Sequence, residues 1–369
     1  MTRPLKATII GTNIGCTLHV RALRGAGFTI QSLVGRNPEQ TAARARHFGI
    51  PQALTSFEEA IDSDVDAVIV ATPPVTHHPF AMKAIAAGKH VLCEKPLAID
   101  IGHAREMREA ADEAGLAHAI SHEFRWFARN ALTRRLVAEG RIGQPVHVQA
   151  LFNAGLCAEP EPQIPAWWRS AAEGGGWLRN YNAHGIDVIR YALGEFGAVA
   201  GGTHVGADRG MDSDDGYSFA FALANGCQGV MSGTTRDHGF LDVLRIAGAD
   251  ATIASTTVGY APLSLIDRTG AHEPEVPADL AEQLLGAGPR VSGPAAPLHP
   301  MGDTIYEQSH ASDIGYPEQV ALSAAFGAKI RDRGYANPAM ALFDDGVAHM
   351  AVIEAVERSR QTGRWIDLA

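Results

Sequence analysis

Short segments of the chain carry residue types and spacings that could do chemistry together. In Gly11-Thr12-Asn13-Ile14-Gly15, residues Gly11, Asn13, Ile14 and Gly15 would bring backbone N–H groups and the start of a helix dipole to a pyrophosphate. The middle glycine position holds Asn13, which tolerates the left-handed conformation but puts a side chain where a phosphate would meet bare backbone. A tight turn without a ligand is the alternative. Gly35-Arg36-Asn37 stands where an Asp or Glu would accept hydrogen bonds from the adenosine ribose of NAD. No carboxylate is present, so Arg36 is a candidate for charge-assisted bonds to a ribose 2′-phosphate, against the alternative of a solvated arginine.

Glu94-Lys95-Pro96 follows the apolar HVLC run. A lysine there could take a proton from a substrate hydroxyl as a hydride leaves for a nicotinamide ring, and the cationic oxidised ring favours the free amine that such a base needs. A surface ion-pairing lysine is the alternative. Thr72, Pro73 and Pro74, with His77 close behind, follow the DAVIVA run and are too rigid to continue as helix; they predict a loop on the same edge, where cofactors bind. His77-His78 and His118/His122 lack the spacing and supporting carboxylates of a metal site, and no metal is expected. Trp126, Trp167, Trp177 and Tyr181 offer aromatic faces to a sugar ring or aromatic substrate, or simply pack as core.

These segments need elements to place them. Strands are predicted at Leu5–Ile10, Thr29–Val34, Asp66–Ala71 and Lys89–Cys93, and helices at His19–Ala26, Pro38–Phe48, Phe80–Ala87 and Ile101–Ala114. Asp66–Ala71 is apolar on both parities, as a central parallel strand covered on both faces must be. Gly88 and Gly115 read as helix stops. Strands alternating with helices predict a doubly wound, Rossmann-type α/β domain over residues 1–122. Beyond it, Val146–Phe152, Tyr217–Ala224, Gly229–Thr235 and Val243–Ala247 arrive with turns such as Asn225-Gly226 and few helices. That pattern predicts an α+β domain over 123–369 with an open, mostly antiparallel sheet. Gly286–Pro300 reads as a long loop, and Phe343–Arg360 as a helix able to pack back on the first domain.

Composition bounds the partners. The chain has 369 residues, 46% apolar and 20% charged, which suits two globular domains. Its net charge of −10, without a basic stripe, argues against nucleic acid as a partner. No apolar stretch reaches the ~20 residues of a membrane helix. Cys16, Cys93, Cys157 and Cys227 form no CxxC pair, and together with the lack of a signal-like N-terminus they predict reduced thiols in a cytoplasmic protein.

GTNIGCTLH, VIVATPPVTHH, AIAAGKHVLCEKPLA and GGGWLRNYNAHGID together resemble the Gfo/Idh/MocA family, the glucose–fructose oxidoreductase and inositol dehydrogenase group. HEFRW, the WWR segment and FDDG fall in the family's order, so the likeness covers nearly the whole chain. It implies an active site in the cleft between the two domains. Lys95 matches the family's EKP lysine, and His184 the second-domain histidine that shares acid/base work. Asn180 stands where the family often has Asp, and Asn182 where Gly is common; an amide can only donate and accept hydrogen bonds. Trp168 and Arg169 resemble a pair lying against the cofactor, and Arg125 a cleft residue. Lys95, His184 and Asn180 are thus the catalytic candidates, and Arg125, Tyr181, Asn182 and His184 the substrate contacts. The implied activity is NAD(P)-dependent hydride transfer at a carbinol or carbonyl carbon of a sugar, cyclitol or related hydroxy compound, with a slight preference for NADP and a homodimer or homotetramer as the assembly. A redox-neutral glycosidase or lyase of the same fold, or a non-catalytic dinucleotide-binding sensor, are the alternatives.

Overall fold

Short runs of Val, Ile and Ala fold as a parallel sheet whose central strands are buried. The computed structural model describes residues 3–161, 164–256, 263–284 and 316–368; the predicted Gly286–Pro300 loop lies outside them. The strands are β1 (Lys6–Ile10), β2 (Thr29–Val34), β3 (Gln52–Leu54), β4 (Ala67–Val70), β5 (His90–Cys93) and β6 (His118–Ile120). They pair in the order β3-β2-β1-β4-β5-β6, all parallel. This is the doubly wound arrangement, with its topological switch beside β1.

The helices start where local chemistry starts them. A π-helical turn, Gly15–His19, leads into α1 (Val20–Gly25), so the first helix begins earlier than the apolar periodicity suggests. Pro38 opens α2 (Pro38–His47) behind Asn37, whose side chain accepts the Gln40 N–H, an N-cap that stabilises a helix by about 1 kcal/mol. Ser56 does the same for α3 (Phe57–Ile61). Next come α4 (His77–Ala86) and α5 (Ile101–Glu113), the latter capped by Asp100. Ile9, Ile69 and Leu92 on the three central strands are fully buried, each worth roughly 1.5–3 kcal/mol.

The described residues divide into two compact units, Met1–Trp126 with Glu282–Val347, and Phe127–Ala281 with Ala348–Ala369. The sequence predicts a boundary at residue 122 with a C-terminal helix able to pack back on the first domain; the first unit runs to Trp126 and also takes in Glu282–Val347. Helix Tyr316–Arg331 supplies the reason, since its Ala321, Leu322, Ala325 and Phe326 are buried in the same core as Leu23 and Phe28. Phe326 lies parallel to Phe28, with ring centroids 6.4 Å apart. Helix Phe343–Thr362 begins in the first unit and continues in the second.

In the second unit, α6 (Ala128–Ala138), α7 (Trp177–Asn180) and α8 (Ala183–Leu193) accompany a nine-stranded sheet. Its strands are β7 (Pro145–Asn153), β8 (Phe196–Val205), β9 (Asp214–Leu223), β10 (Gln228–Thr234), β11 (Leu241–Gly248), β12 (Thr252–Thr256), β13 (Ser264–Asp267), β14 (Gly270–His272) and β15 (Ile366–Asp367). The order is β14-β13-β12-β11-β7-β10-β9-β8-β15, antiparallel except for β7 beside β10. Along β9, Tyr217, Phe219 and Phe221 are buried while Ser218 is exposed and Ala220 and Ala222 are half-buried, the alternation of a sheet packed on one face only. Among the described residues no helix is long and apolar enough to cross a membrane.

Candidate active site

Bare backbone defines the glycine loop after β1. Gly11 has φ +114°, and a Cβ there would stand 2.0 Å from the Ala71 carbonyl oxygen. A Cβ at Gly15 would stand 2.8 Å from Ile9 Cγ2. Both positions therefore require glycine, and the turn keeps the shape that lets a pyrophosphate approach main chain. Asn13 is not left-handed, since no described residue other than glycine has a positive φ. Its exposed side chain instead accepts a hydrogen bond of 2.7 Å from Arg44, whose same nitrogen donates to Thr12 O at 2.7 Å and Thr12 Oγ1 at 2.9 Å. Ile14 is half-buried and immediately precedes the π-helical turn.

At the end of β2, a Cβ on Gly35 would lie 2.4 Å from both Thr12 Cγ2 and Thr41 Oγ1. A side chain there, a ribose-binding carboxylate included, would require Thr12 and Thr41 to move. Arg36, next along, is exposed.

The carboxyl ends of β4 and β5 form the second part of the first unit's site. Thr72, Pro73 and the buried Pro74 follow β4, and His77 ties this loop to the next one. Its ring nitrogens lie 2.8 Å from Pro96 O and 2.8 Å from Thr72 O. Burial lowers the pKa of His77, against the two carbonyls that favour its protonated form. Lys95 is half-buried and is joined to Pro96 by a cis peptide bond. Its backbone N–H donates to Glu94 Oε2 at 3.2 Å, and Glu94 Oε1 lies 2.8 Å from His19 Nε2. Although burial would raise it, the Glu94 pKa is held below the usual carboxylate range by the His19 hydrogen bond and by the Lys95 charge. Glu123 responds oppositely: burial, then the Glu94 charge, push it up to about 8.

Arg125 is buried and paired with Asp345 at 2.7 Å. His19, Ser121, Glu123 and Gln319 were missed in the sequence. The first could have been found as a histidine one helical turn beyond Gly15, and Glu123 by its place inside HEFRW.

In the second unit, α7 and α8 hold Asn180, Tyr181, Asn182 and His184. His184 is buried, edge-on to Tyr181 with centroids 6.0 Å apart. Tyr181 packs against Trp177 at 5.0 Å and Phe152 at 4.4 Å, and those two rings are 5.3 Å from each other, so the three form one compact cluster, with Phe240 edge-on to Phe152. Trp168 is buried and donates its indole N–H to Gly176 O at 2.7 Å, so this ring is core. Arg169 is half-buried, its carbonyl accepting from the N–H groups of Asp212 and Ser213. Asn182 is buried, with its amide donating to Trp177 O at 3.4 Å. Asn180 donates its side-chain N–H groups to Gly174 O at 2.9 Å and Gly176 O at 3.0 Å. Two carbonyls facing one amide fix its orientation. Asp214, which accepts the Leu178 N–H at 2.8 Å, is raised to about 7 by burial, despite that bond and Arg179. Among the described residues no group of His, Cys, Asp and Glu could hold a metal.

A 3-2-1-4-5-6 parallel sheet with a glycine turn after β1 and a lysine after β5 defines a dinucleotide-binding oxidoreductase unit. Two family models match the chain: the oxidoreductase family with NAD-binding Rossmann fold over residues 5–122, and the GFO/IDH/MocA C-terminal domain over residues 131–254. The chain belongs to the GFO/IDH/MocA oxidoreductase family. It is 38% identical over 183 residues to 1,5-anhydro-D-fructose reductase of Ensifer adhaerens, an alignment spanning 49% of this chain and 54% of that protein. To levoglucosan dehydrogenase of Pseudarthrobacter phenanthrenivorans it is 27% identical over 356 residues, covering 90% of this chain and 87% of that protein. Among solved structures, a levoglucosan dehydrogenase complex with NADH and levoglucosan superposes with TM-score 0.82 at 23% identity, covering 99% of each chain. An oxidoreductase domain protein from Kribbella flavida does so with TM-score 0.78 at 27% identity, covering 100% of each.

Proposed function

We propose that the protein is an NAD(P)-dependent dehydrogenase or reductase acting on a carbinol or carbonyl carbon of a sugar, cyclitol or related hydroxy compound. The carrying observation is Lys95 at the carboxyl end of β5, on the same sheet edge as the Gly11 turn and the Thr72-Pro73-Pro74 loop. Relatives named as a reductase and dehydrogenases of anhydrosugars and inositol support the substrate class. The glycine turn, where two Cβ atoms are excluded, suits a pyrophosphate. A bound nicotinamide dinucleotide supplies the hydride acceptor or donor.

In the oxidation direction, Lys95 takes the hydroxyl proton as the carbinol hydrogen departs as hydride, and in reduction it returns the proton to the oxygen. His184 binds the reacting oxygen and shares the proton. Holding the substrate carbon in one pose supplies much of the rate. Arg36, exposed beside Gly35 where no carboxylate stands, supports a slight preference for NADP(H). Leu151, Val230 and Leu241, which share the open sheet face and are 36%, 44% and 38% exposed, support a homodimer or homotetramer. Four buried cysteines outside any disulfide support a cytoplasmic setting.

The test is a fluorescence titration with NADH and NADPH, followed by a nicotinamide-absorbance screen against levoglucosan, 1,5-anhydrofructose, inositols and simple polyols. Net cofactor turnover with one of these is the expected outcome. Lys95→Ala should lower kcat by ~10²–10⁴ with cofactor affinity nearly unchanged. A variant as active as the unmodified enzyme would move the chemistry to another residue.

A further inference from the structure

Beneath Lys95 runs a chain of buried polar groups drawn from separate elements of the first unit. His19 ends the π-helical turn, Glu94 follows β5, Ser121 follows β6 and Gln319 lies on helix Tyr316–Arg331. His19, Ser121 and Gln319 are completely buried and Glu94 is 5% exposed. Ser121 donates its hydroxyl to Gln319 Oε1 at 3.1 Å. The Gln319 amide then presents its Nε2 to His19 Nδ1 at 3.4 Å, and His19 Nε2 faces Glu94 Oε1 at 2.8 Å.

This order fixes the protons. Gln319 Nε2 can only donate, so His19 Nδ1 is an acceptor and the ring hydrogen resides on Nε2, pointing at Glu94. Glu94 Oε2 in turn accepts the Lys95 backbone N–H at 3.2 Å. A buried carboxylate is tolerated only when its oxygens are bonded, and here one oxygen is held by a histidine and the other holds the lysine's main chain.

We propose that His19 is a positioning residue for Lys95, acting through Glu94, with Gln319 selecting its tautomer. This rests on the reading of Lys95 as the acid/base. If the Nε2 donor is removed, Glu94 keeps Ser121 as a side-chain donor but loses the histidine that holds Oε1, and the acceptor that sets the Lys95 backbone shifts with it. The lysine amine then swings out of register with the reacting oxygen, and displacements of about 1 Å cost up to ~10² in rate. The glycine turn and the Arg36 side are untouched, so cofactor affinity should hold.

The test compares His19→Leu, which removes the donor, with His19→Gln, which retains an N–H of similar reach. Turnover, NADPH affinity and the Lys95 amide signal are all measured. Selective nitrogen-15 lysine labelling leaves only Lys6, Lys83, Lys89, Lys95 and Lys329 as labelled backbone sites, and Lys95→Arg assigns the one of interest. His19→Leu is expected to lower kcat by ~30–100-fold, to keep the NADPH dissociation constant within about threefold, and to move the Lys95 signal. His19→Gln is expected to recover most of the kcat and return the signal toward its original place. Unchanged kcat and signal in folded His19→Leu overturn the proposal, as does a His19→Gln protein no better than His19→Leu, or a loss of cofactor affinity as large as the loss of kcat. Should His19→Leu fail to fold, Gln319→Met carries the test: a displaced Lys95 signal with a smaller loss of kcat supports positioning, and no change in either overturns it. Should the unmodified protein turn over no hydroxy compound, the functional reading has failed, and the Lys95 signal alone decides the positioning.

Discussion

Replacing Asn180 by Asp should destabilise the second unit. Asn180 is 2% exposed, and its amide hydrogens go to Gly174 O at 2.9 Å and Gly176 O at 3.0 Å. Gly176 O also receives the Trp168 indole and the Asn180 backbone N–H, so the principal loss falls on Gly174 O. A buried carbonyl stripped of its donor costs about 1–3 kcal/mol. The protonated acid still has one O–H for Gly174 O, whereas the carboxylate has none and faces two carbonyl oxygens. Its folded pKa must therefore rise above the ordinary value of about 3.9. For a raised carboxyl group, stability is fully present below the unfolded pKa and is lost as pH rises through the folded pKa. Asn180→Asp should cost about 1 kcal/mol near pH 4 and about 2–4 kcal/mol near pH 8, with Asn180→Ala showing a loss independent of pH. Urea unfolding of both variants across that range measures it. An Asn180→Asp protein within about 0.5 kcal/mol of the parent at pH 8 would refute the account, because the amide would then not be holding the Gly174–Gly176 loop.

Arg36→Ala should weaken NADPH by ~1.5–3 kcal/mol, the value of a charged hydrogen bond, and barely affect NADH; tighter binding of NADH than NADPH by the unmodified protein would sink the assignment. Asp214→Asn should stabilise the protein more at pH 8 than at pH 5, by roughly 2 kcal/mol after discounting for partial exposure. The sign follows from a folded pKa raised to about 7: native stability falls as pH climbs toward 7, and an amide, which still accepts the Leu178 N–H, does not ionise. Equal gains at both pH values in thermal unfolding would show that Asp214 is not the titrating group.

How much of this was legible in the sequence depends on whether the determinant is local. DAVIVA and HVLC specify buried parallel strands because apolarity on both parities leaves no solvent face, and Asn37-Pro38 specifies the start of α2 through a cap and a fixed φ. Gln52–Leu54 was not legible: it is short, largely exposed and lies at the sheet edge, so no periodicity marks it. Helix Tyr316–Arg331 was equally opaque in its destination. It is buried along most of its length by partners some 300 residues earlier, as the contact of Gln319 with His19 shows, and nothing in its own pattern names those partners. The site follows the same rule. Lys95 is identifiable from its neighbours in the chain, whereas His19 and Gln319 acquire a role only through folding.

The departures at Asn13 and Asn180 illustrate what a motif leaves out. Read against a family pattern, each is a lost glycine or a lost carboxylate, and each argues for a weakened function. In the structure each is an amide matched to a local polar need: Asn13 Oδ1 accepts from a buried Arg44 that also holds Thr12, and Asn180 supplies the hydrogens that glycine carbonyls lack. Gly11 and Gly15, where a Cβ cannot be accommodated, are unchanged, while Asn13 occupies an exposed position in ordinary helical or extended backbone. The two amides thus stand where a side chain fits and can be bonded, which is why the glycine turn and Lys95 together carry more weight for a hydride-transferring enzyme than the two amides carry against it.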